Sequence, residues 1–348
     1  MTDRTDLTRP QTADNERIVP RSTLSGIAAI TSLLLAVVCV GSLLWRGVGQ
    51  ARSEPLRVAI NPWPGYEFAT LAREKGFFAE EGVDVRLLEL SSLGDCRRAF
   101  ERGQADGFFG TVTEVLESRE QSTRLAQISM VVDFSDGADV VLAGPGIDGV
   151  SVLAGKKVGI ENGSLNAFVL SRALEQSGLA WEDVEVVHLA SIDMPKALAS
   201  GEVAAVVTYP PMSLEIQRTG TGHAIFTSQS IPGEVVDVLS FDEKTLRTRG
   251  KDVAAFHRAF HRAQDYAAEH PEESYRIMAA RQRITSEEFR QALTDGIRML
   301  GRQDQQAFLG PRGSLREVVA TTDRVLRQVG QLSGTADGKN AIAAVEGD

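Results

Sequence analysis

Apolar and polar positions alternate from residue 56 onward in a strand, turn, helix rhythm. Residues 56–60 (LRVAI) predict a strand, and Asn61-Pro62-Trp63-Pro64-Gly65 predicts a loop, because two prolines and a glycine break any regular repeat. A helix follows from Glu67 and stops at Gly76, which tolerates a left-handed cap. Further strands are predicted at 83–88, 105–109, 126–132 and 138–143, with helices opened by Ser92 and by the capping box Thr111-x-x-Glu114. The rhythm restarts after Gly144, with strands at 157–160, 184–188, 203–207 and 224–227. Helices intervene at 164–178, at 193–200 and after Tyr209-Pro210-Pro211, and a last strand is predicted at 235–241. Beyond it the chain reads as helical, at 252–270 and 272–281, with capping boxes at Thr285-x-x-Glu288 and Ser314-x-x-Glu317. Strands alternating with helices predict an α/β protein of parallel sheets covered on both faces. Two such units are expected, with the C-terminal helices packed on one of them.

The N-terminus breaks this pattern. No charge occurs from Ser22 to Trp45, and a helix of about 20 apolar residues spans hydrocarbon. The run exceeds the roughly 7–15 apolar residues of a cleaved signal. That favours an uncleaved signal-anchor at 22–46, while Gly49-Gln50-Ala51 keeps cleavage open. Lipid on Cys39 fits poorly, since Val38 is not small and the apolar run continues past it. Residues 1–21 carry mixed charge without periodicity and read as a disordered tail, and 333–348 as a flexible one.

Composition narrows the chemistry. The 348 residues suit about two domains, and 43% hydrophobic with 24% charged residues is an ordinary globular balance. The net charge of −10 argues against a nucleic-acid partner, which needs a concentrated basic surface. With only Cys39 and Cys96, no thiol metal site can be built. No P-loop, Gly-x-Ser-x-Gly or His-Glu-x-x-His occurs, so neither a metal nor a cofactor is called for. Gly144-Pro145-Gly146-Ile147-Asp148-Gly149 matches the dinucleotide fingerprint but lacks the helix that must follow, and reads as an interdomain linker. His257 and His261, one helical turn apart, flank the apolar Phe256 and Phe260 and read as rim residues rather than ligands. Asn162-Gly163-Ser164 matches a glycosylation sequon but reads as a tight turn with Ser164 as helix cap.

The informative set is the strand-to-helix turns: Trp63–Tyr66, Ser91–Ser92, Gly110–Thr113, Gly163–Asn166 and Tyr209–Pro211. In an open α/β sheet these turns gather at the carboxyl ends of the strands, where ligands bind. Each offers hydroxyls or free N–H groups at a helix N-terminus, a setting that favours an acid group, and none carries a basic residue. Each Ser or Thr could equally cap only its own helix. A Pro-Trp-Pro-Gly-Tyr loop is a poor place to bury two large rings, so Trp63 and Tyr66 are expected to line a pocket.

Residues 56–78, LRVAINPWPGYEFATLAREKGFF, resemble the opening of solute-binding proteins of the nitrate/sulfonate/taurine class of ABC importers. That group includes binders of thiamine-pyrimidine precursors. The resemblance continues through 76–89, 98–111, 133–143, 153–179 and 197–212, and is weaker over the C-terminal helices. It implies a periplasmic binding protein of type II, with two α/β lobes joined by two crossovers; the transmembrane helix expected from the apolar run, with the long cytoplasmic tail before it, departs from the usual member. The first lobe would be 55–143 plus 237–332, and the second 146–232. A small anionic or zwitterionic organic solute, sulfonate- or taurine-like, would sit between the lobes. The protein would be a monomer that delivers its solute to a membrane permease and the attached ATPase. It would sit at the inner membrane, with the binding domain on the periplasmic side.

By position Trp63, Tyr66, Ser92, Thr111, Ser164 and Tyr209 match the segments that line the family's cleft; Ser91, Thr113, Gly163 and Asn166 join them as candidates from the same turns, and Asp136, Asp139 and Asp237 fall near the crossovers. On this expectation the aromatic rings hold the apolar part of the ligand and the hydroxyls its acid group, while an aspartate balances an ammonium. Tyr209-Pro210 stands where many relatives carry Trp-Glu-Pro, which removes a carboxylate. Two rivals stay open: a ligand sensor coupled to a membrane signalling partner, and an enzyme like the family's pyrimidine synthase. That enzyme uses a Cys-rich segment and a histidine, and none of the five histidines here falls in the predicted turns.

Overall fold

The structure, a computed structural model, describes residues 54–334 and 340–343. The expected tail at 1–21 and signal-anchor at 22–46 lie outside the described residues. Among the described residues no helix is long and apolar enough to cross a membrane.

From Pro55 onward the described residues form one compact unit built on two sheets. The first begins β1 (Leu56–Ile60), α1 (Glu67–Glu74), α2 (Phe77–Glu80), β2 (Val85–Glu89), α3 (Leu93–Glu101), β3 (Gly107–Thr111), α4 (Val112–Gln121) and β4 (Ala126–Ser135). The second comprises β5 (Val140–Ala143), β6 (Lys157–Ile160), α5 (Asn166–Gln176), β7 (Glu185–His188), α6 (Met194–Ser200), β8 (Ala205–Thr208), α7 (Met212–Thr219) and β9 (His223–Thr227). The chain then returns to the first sheet with β10 (Val236–Asp242). It continues as α8 (Glu243–Glu269), α9 (Pro271–Gln282), α10 (Ser286–Gly296), β11 (Ile297–Met299), α11 (Gln305–Leu309) and α12 (Leu315–Gln328).

The strand orders are β11-β4-β10-β3-β1-β2 and β7-β6-β8-β5-β9. In each sheet three strands are parallel, and the next one joins antiparallel: β10 beside β3, and β5 beside β8. These strands follow the two passages between the sheets, at 136–139 and 228–235. Each sheet with its covering helices is one lobe. The strand at 138–143, expected within the first lobe, is β5 of the second sheet. Its apolar VVLA run requires burial but carries no mark of which sheet buries it.

Local signals hold where a side chain bonds its own turn. The boxes at Thr111/Glu114 and Thr285/Glu288 both form. The one at Ser314/Glu317 does not: Ser314 is itself helical and makes no side-chain cap. The helix expected from 252 starts nine residues earlier at Glu243, capped by Asp242, with a break at Arg249. The tail expected to be flexible is pinned where it is described. Ser333 and Gly334 donate to Glu120, and Ile342 bridges Ile128 of β4 because Ala341 and Ile342 are buried against that strand.

Candidate functional site

The carboxyl ends of β1 and β8 bring three aromatic rings together between the lobes. Trp63 and Tyr66 come from the loop after β1, and Tyr209 follows β8. The Trp63 ring centroid lies 6.2 Å from Tyr66 and 5.9 Å from Tyr209, the latter edge-on at 78°. All three rings are buried. With Asn61, Leu93, Asp139, Leu165 and Asp237 they enclose about 170 Å³ of interstitial space, no part of it wide enough for a water molecule.

The ionisable acids of this pocket are Asp139 and Asp237, beside the Asn61 amide and the two tyrosine hydroxyls. Asp237 of β10 is paired in register with Thr111 of β3 on one side and Asp133 of β4 on the other. The Trp63 indole N–H donates to both oxygens of Asp133, at 3.3 and 3.1 Å, and the Tyr66 hydroxyl donates to Asp237 Oδ1. A Cβ at Gly65 would lie 1.9 Å from Asp133 Oδ2, so this loop passes Asp133 only as glycine. No N–H or hydroxyl of the protein bonds Asp237 Oδ2 or either oxygen of Asp139, although the Asp133 carboxyl lies near enough to share a proton with Asp237 and the Ser135 hydroxyl near enough to favour the Asp139 anion.

Burial dominates the titration of these groups. It lifts the Asp139 carboxyl to about 7. Burial also raises Asp133 and Asp237, and the Asp133 charge raises Asp237 further. Burial and the neighbouring carboxylates push the Tyr66 hydroxyl well above its ordinary range.

The residues expected to bind separate into three places. Trp63, Tyr66, Tyr209 and Asp237 line the aromatic pocket. Ser91 and Ser92 line a different, outer groove of about 410 Å³, shared with Arg98, Glu161 and Ser191. Thr111, Thr113, Ser164 and Asn166 are buried in the seam between the lobes, and Gly163 is half-buried there. Asp136 is exposed and lines neither cavity. Asp139, expected with it near the crossover, does line the aromatic pocket, and Asp133 lies behind the wall, bonded to Trp63. Asp133 escaped the sequence reading because it continues an apolar strand, and only pairing with β10, a hundred residues later, reveals its partner.

The hydroxyls expected to hold an acid group are engaged within the protein. Ser92 accepts from the Asp95 N–H and donates to its carboxylate. Thr111 accepts from the Thr113 N–H and donates to Glu114 Oε2. Ser164 donates to the Glu161 carbonyl and accepts from the Asn166 N–H. Short hydroxyl side chains reach their own turns more readily than a cleft. The histidines are likewise occupied: His257 pairs with Ser129 at 3.1 Å and His261 with Gln264 at 2.8 Å. His261 is buried rather than at the rim. Among the described residues no group of His, Cys, Asp and Glu could hold a metal ion.

A family model described as "NMT1/THI5 like" matches residues 63–274. The chain belongs to this family. It is 25% identical over 268 residues to the formylaminopyrimidine-binding protein of Halalkalibacterium halodurans, covering 73% of this chain and 78% of that one. It is 24% identical over 220 residues to the 4-amino-5-hydroxymethyl-2-methylpyrimidine phosphate synthase of Aspergillus parasiticus, covering 58% and 62%. Its fold is similar to that of the alkanesulfonate-binding protein SsuA of Xanthomonas axonopodis pv. citri bound to MOPS. There the TM-score is 0.71 at 15% identity, over 84% of this chain and 99% of that one. The resemblance to the nitrate/sulfonate/taurine solute-binding group read from residues 56–212 therefore holds.

Proposed function

We propose that the chain is the solute-capturing component of an ABC importer, handing its cargo to a permease and ATPase, and that the solute is a single-ring amine or amino-heterocycle. The carrying observation is the set of unpartnered oxygens on Asp139 and Asp237, buried beside Trp63, Tyr66 and Tyr209. A buried acceptor without a donor costs about 1–3 kcal/mol, which a solute N–H can relieve. The rings supply flat apolar walls for an aromatic solute. A formylaminopyrimidine, the ligand in the name of the relative from Halalkalibacterium halodurans, has this combination of ring and amino donors. The zwitterion expected from the sequence keeps its cationic half in this reading and loses its acid half.

The synthase reading has a relative in its favour. Against it, the pocket wall contains neither histidine nor cysteine, and Cys96 behind it is fully buried with its thiol pushed well above the ordinary range. A thiol in that state is a weak nucleophile.

Thermal-shift and titration calorimetry with aminopyrimidines, alkylamines and alkanesulfonates test the assignment. An aminopyrimidine at about 100 times its Kd should add about 2.7 kcal/mol of stability. Asp139→Asn should weaken that binding. Equal affinity in Asp139→Asn and the parent would exclude this pocket.

A further inference from the structure

The helix N-termini that face the interlobe seam already hold anions, and the protein supplies them itself. Helix α3 of the first lobe begins at Leu93, and its Gly94 N–H donates to Glu161 Oε1 of the second lobe at 3.2 Å. Leu93 and Tyr209 meet across the seam in the aromatic pocket, and the Asp95 N–H donates to Ser92. On the other side, the Leu165 N–H at the start of α5 donates to Glu114 Oε1 of the first lobe at 2.7 Å. The exchange is reciprocal: each lobe offers one carboxylate to the first turn of the other lobe's helix.

Both carboxylates are buried and braced. Glu114 Oε2 accepts from the Thr111 N–H at 2.7 Å and from its hydroxyl at 2.6 Å. Glu161 Oε2 accepts from Ser191 at 2.9 Å. Two cations lie close by: Arg97 is taken up by Glu101, Glu117 and Gln121, and Arg98, which lines the groove with Glu161, is paired with Asp95 at 2.9 Å.

Building on the solute-binding reading, we infer that Glu114 and Glu161 are specificity residues: resident anions that latch the lobes and refuse acidic solutes. A sulfonate or carboxylate is ordinarily attracted by free N–H groups at a helix N-terminus. Here those donors are engaged, and an incoming acid group meets two carboxylates of its own sign, while the neighbouring Arg97 and Arg98 are already paired with acidic side chains of their own. A neutral or cationic solute meets no such repulsion. The latch accounts for a family fold that, in this chain, is tuned away from anions.

The test uses the full chain, with ethanesulfonate and 4-aminopyrimidine as probes and titration calorimetry as readout. The parent should ignore ethanesulfonate. Glu161→Ala frees the Gly94 N–H and the Ser191 hydroxyl, and its ethanesulfonate affinity should rise by about tenfold or more. Glu161→Gln keeps an acceptor for Gly94, guards against loss of folding, and should show a smaller gain from removal of charge alone. Solution scattering should give Glu161→Ala a larger radius of gyration than the parent.

Ethanesulfonate binding by the parent as tight as by Glu161→Ala would overturn the inference, as would folded variants that both gain nothing. If 4-aminopyrimidine binds in an Asp139-dependent way while the variants gain no sulfonate affinity, the latch alone fails. If the variants gain sulfonate affinity but no amine binds the parent, the latch stands and the proposed ligand class falls.

Discussion

Asp237 of β10 stands directly opposite Asp133 of β4, with the Tyr66 hydroxyl donating to the one and the Trp63 indole to the other. Two facing carboxylates in a buried strand pair cannot both ionise cheaply, so the fold holds protons there that the unfolded chain releases. Asp139 is a third buried carboxyl nearby, raising both, and with Asp237 it lines the aromatic pocket.

This arrangement predicts a pH dependence of stability. An unfolded aspartate titrates near 4, whereas Asp139 keeps its proton up to about 7. Between those values the folded state binds more protons than the unfolded one. The contribution is therefore fully present below about pH 4 and is lost as pH rises through about 7. His257 acts in the opposite sense: burial lowers it to about 3, so its contribution falls as pH drops below about 6.5. Comparing variants cancels that opposing effect. Asp139→Asn should be more stable than the parent at about pH 8, by on the order of 2 kcal/mol, with the gap closing toward about pH 4. Urea denaturation across that range checks this, and parallel curves for the two proteins would mean that Asp139 titrates normally.

Binding should respond to pH in the reverse direction. A cationic or donor-rich solute is held best by ionised Asp139, so its affinity should fall as pH drops through about 7. Calorimetry with a probe amine that does not titrate in this range isolates the protein's contribution. A flat profile would remove Asp139 from the binding site.

Trp63 has separable roles as a ring and as a donor. Trp63→Ala removes contact with Tyr66 and Tyr209 and should cost roughly 3–5 kcal/mol of stability. Trp63→Phe keeps a ring but leaves Asp133 without its indole donor, at a cost of about 1–3 kcal/mol where the carboxyl is ionised. That smaller loss should shrink on acidification. Denaturation of both variants at two pH values separates the contributions.

The legible part of this protein was what a few neighbouring residues decide. The strand-to-helix rhythm, the boxes at Thr111 and Thr285 and the aromatic loop at Trp63–Tyr66 are local, and the structure forms them. Three-residue β11 is too short to carry a period. The membership of β5, the pairing of Asp133 with Asp237, and the capture of Gly94 by Glu161 all depend on register between distant segments. The hydroxyls misled for a physical reason. A Ser or Thr at a helix start looks the same in sequence whether its oxygen serves its own turn or a ligand. The deciding facts were Glu114 and Glu161, whose roles lie across the seam.

Gly163 gives the sharpest steric test of lobe closure. Its φ is +63°, a conformation that costs an ordinary residue about 1–2 kcal/mol. A Cβ there would also lie 2.4 Å from Nη2 of Arg97, on the opposite lobe. The guanidinium has little freedom to yield, since it is buried and tied to Glu101 and Gln121 at 2.6 and 2.9 Å. Strain at the turn is present whether the lobes are together or apart, while the clash with Arg97 exists only when they meet. Gly163→Ala should therefore lose modest stability, about 1–2 kcal/mol, and lose solute affinity by a separate, larger factor of about tenfold or more. Small-angle scattering with saturating solute should leave the variant more extended than the parent. A second substitution, Arg97→Ala, should relieve the clash and restore part of the compaction. If Gly163→Ala compacts and binds like the parent, the lobes do not meet at this point when solute is held.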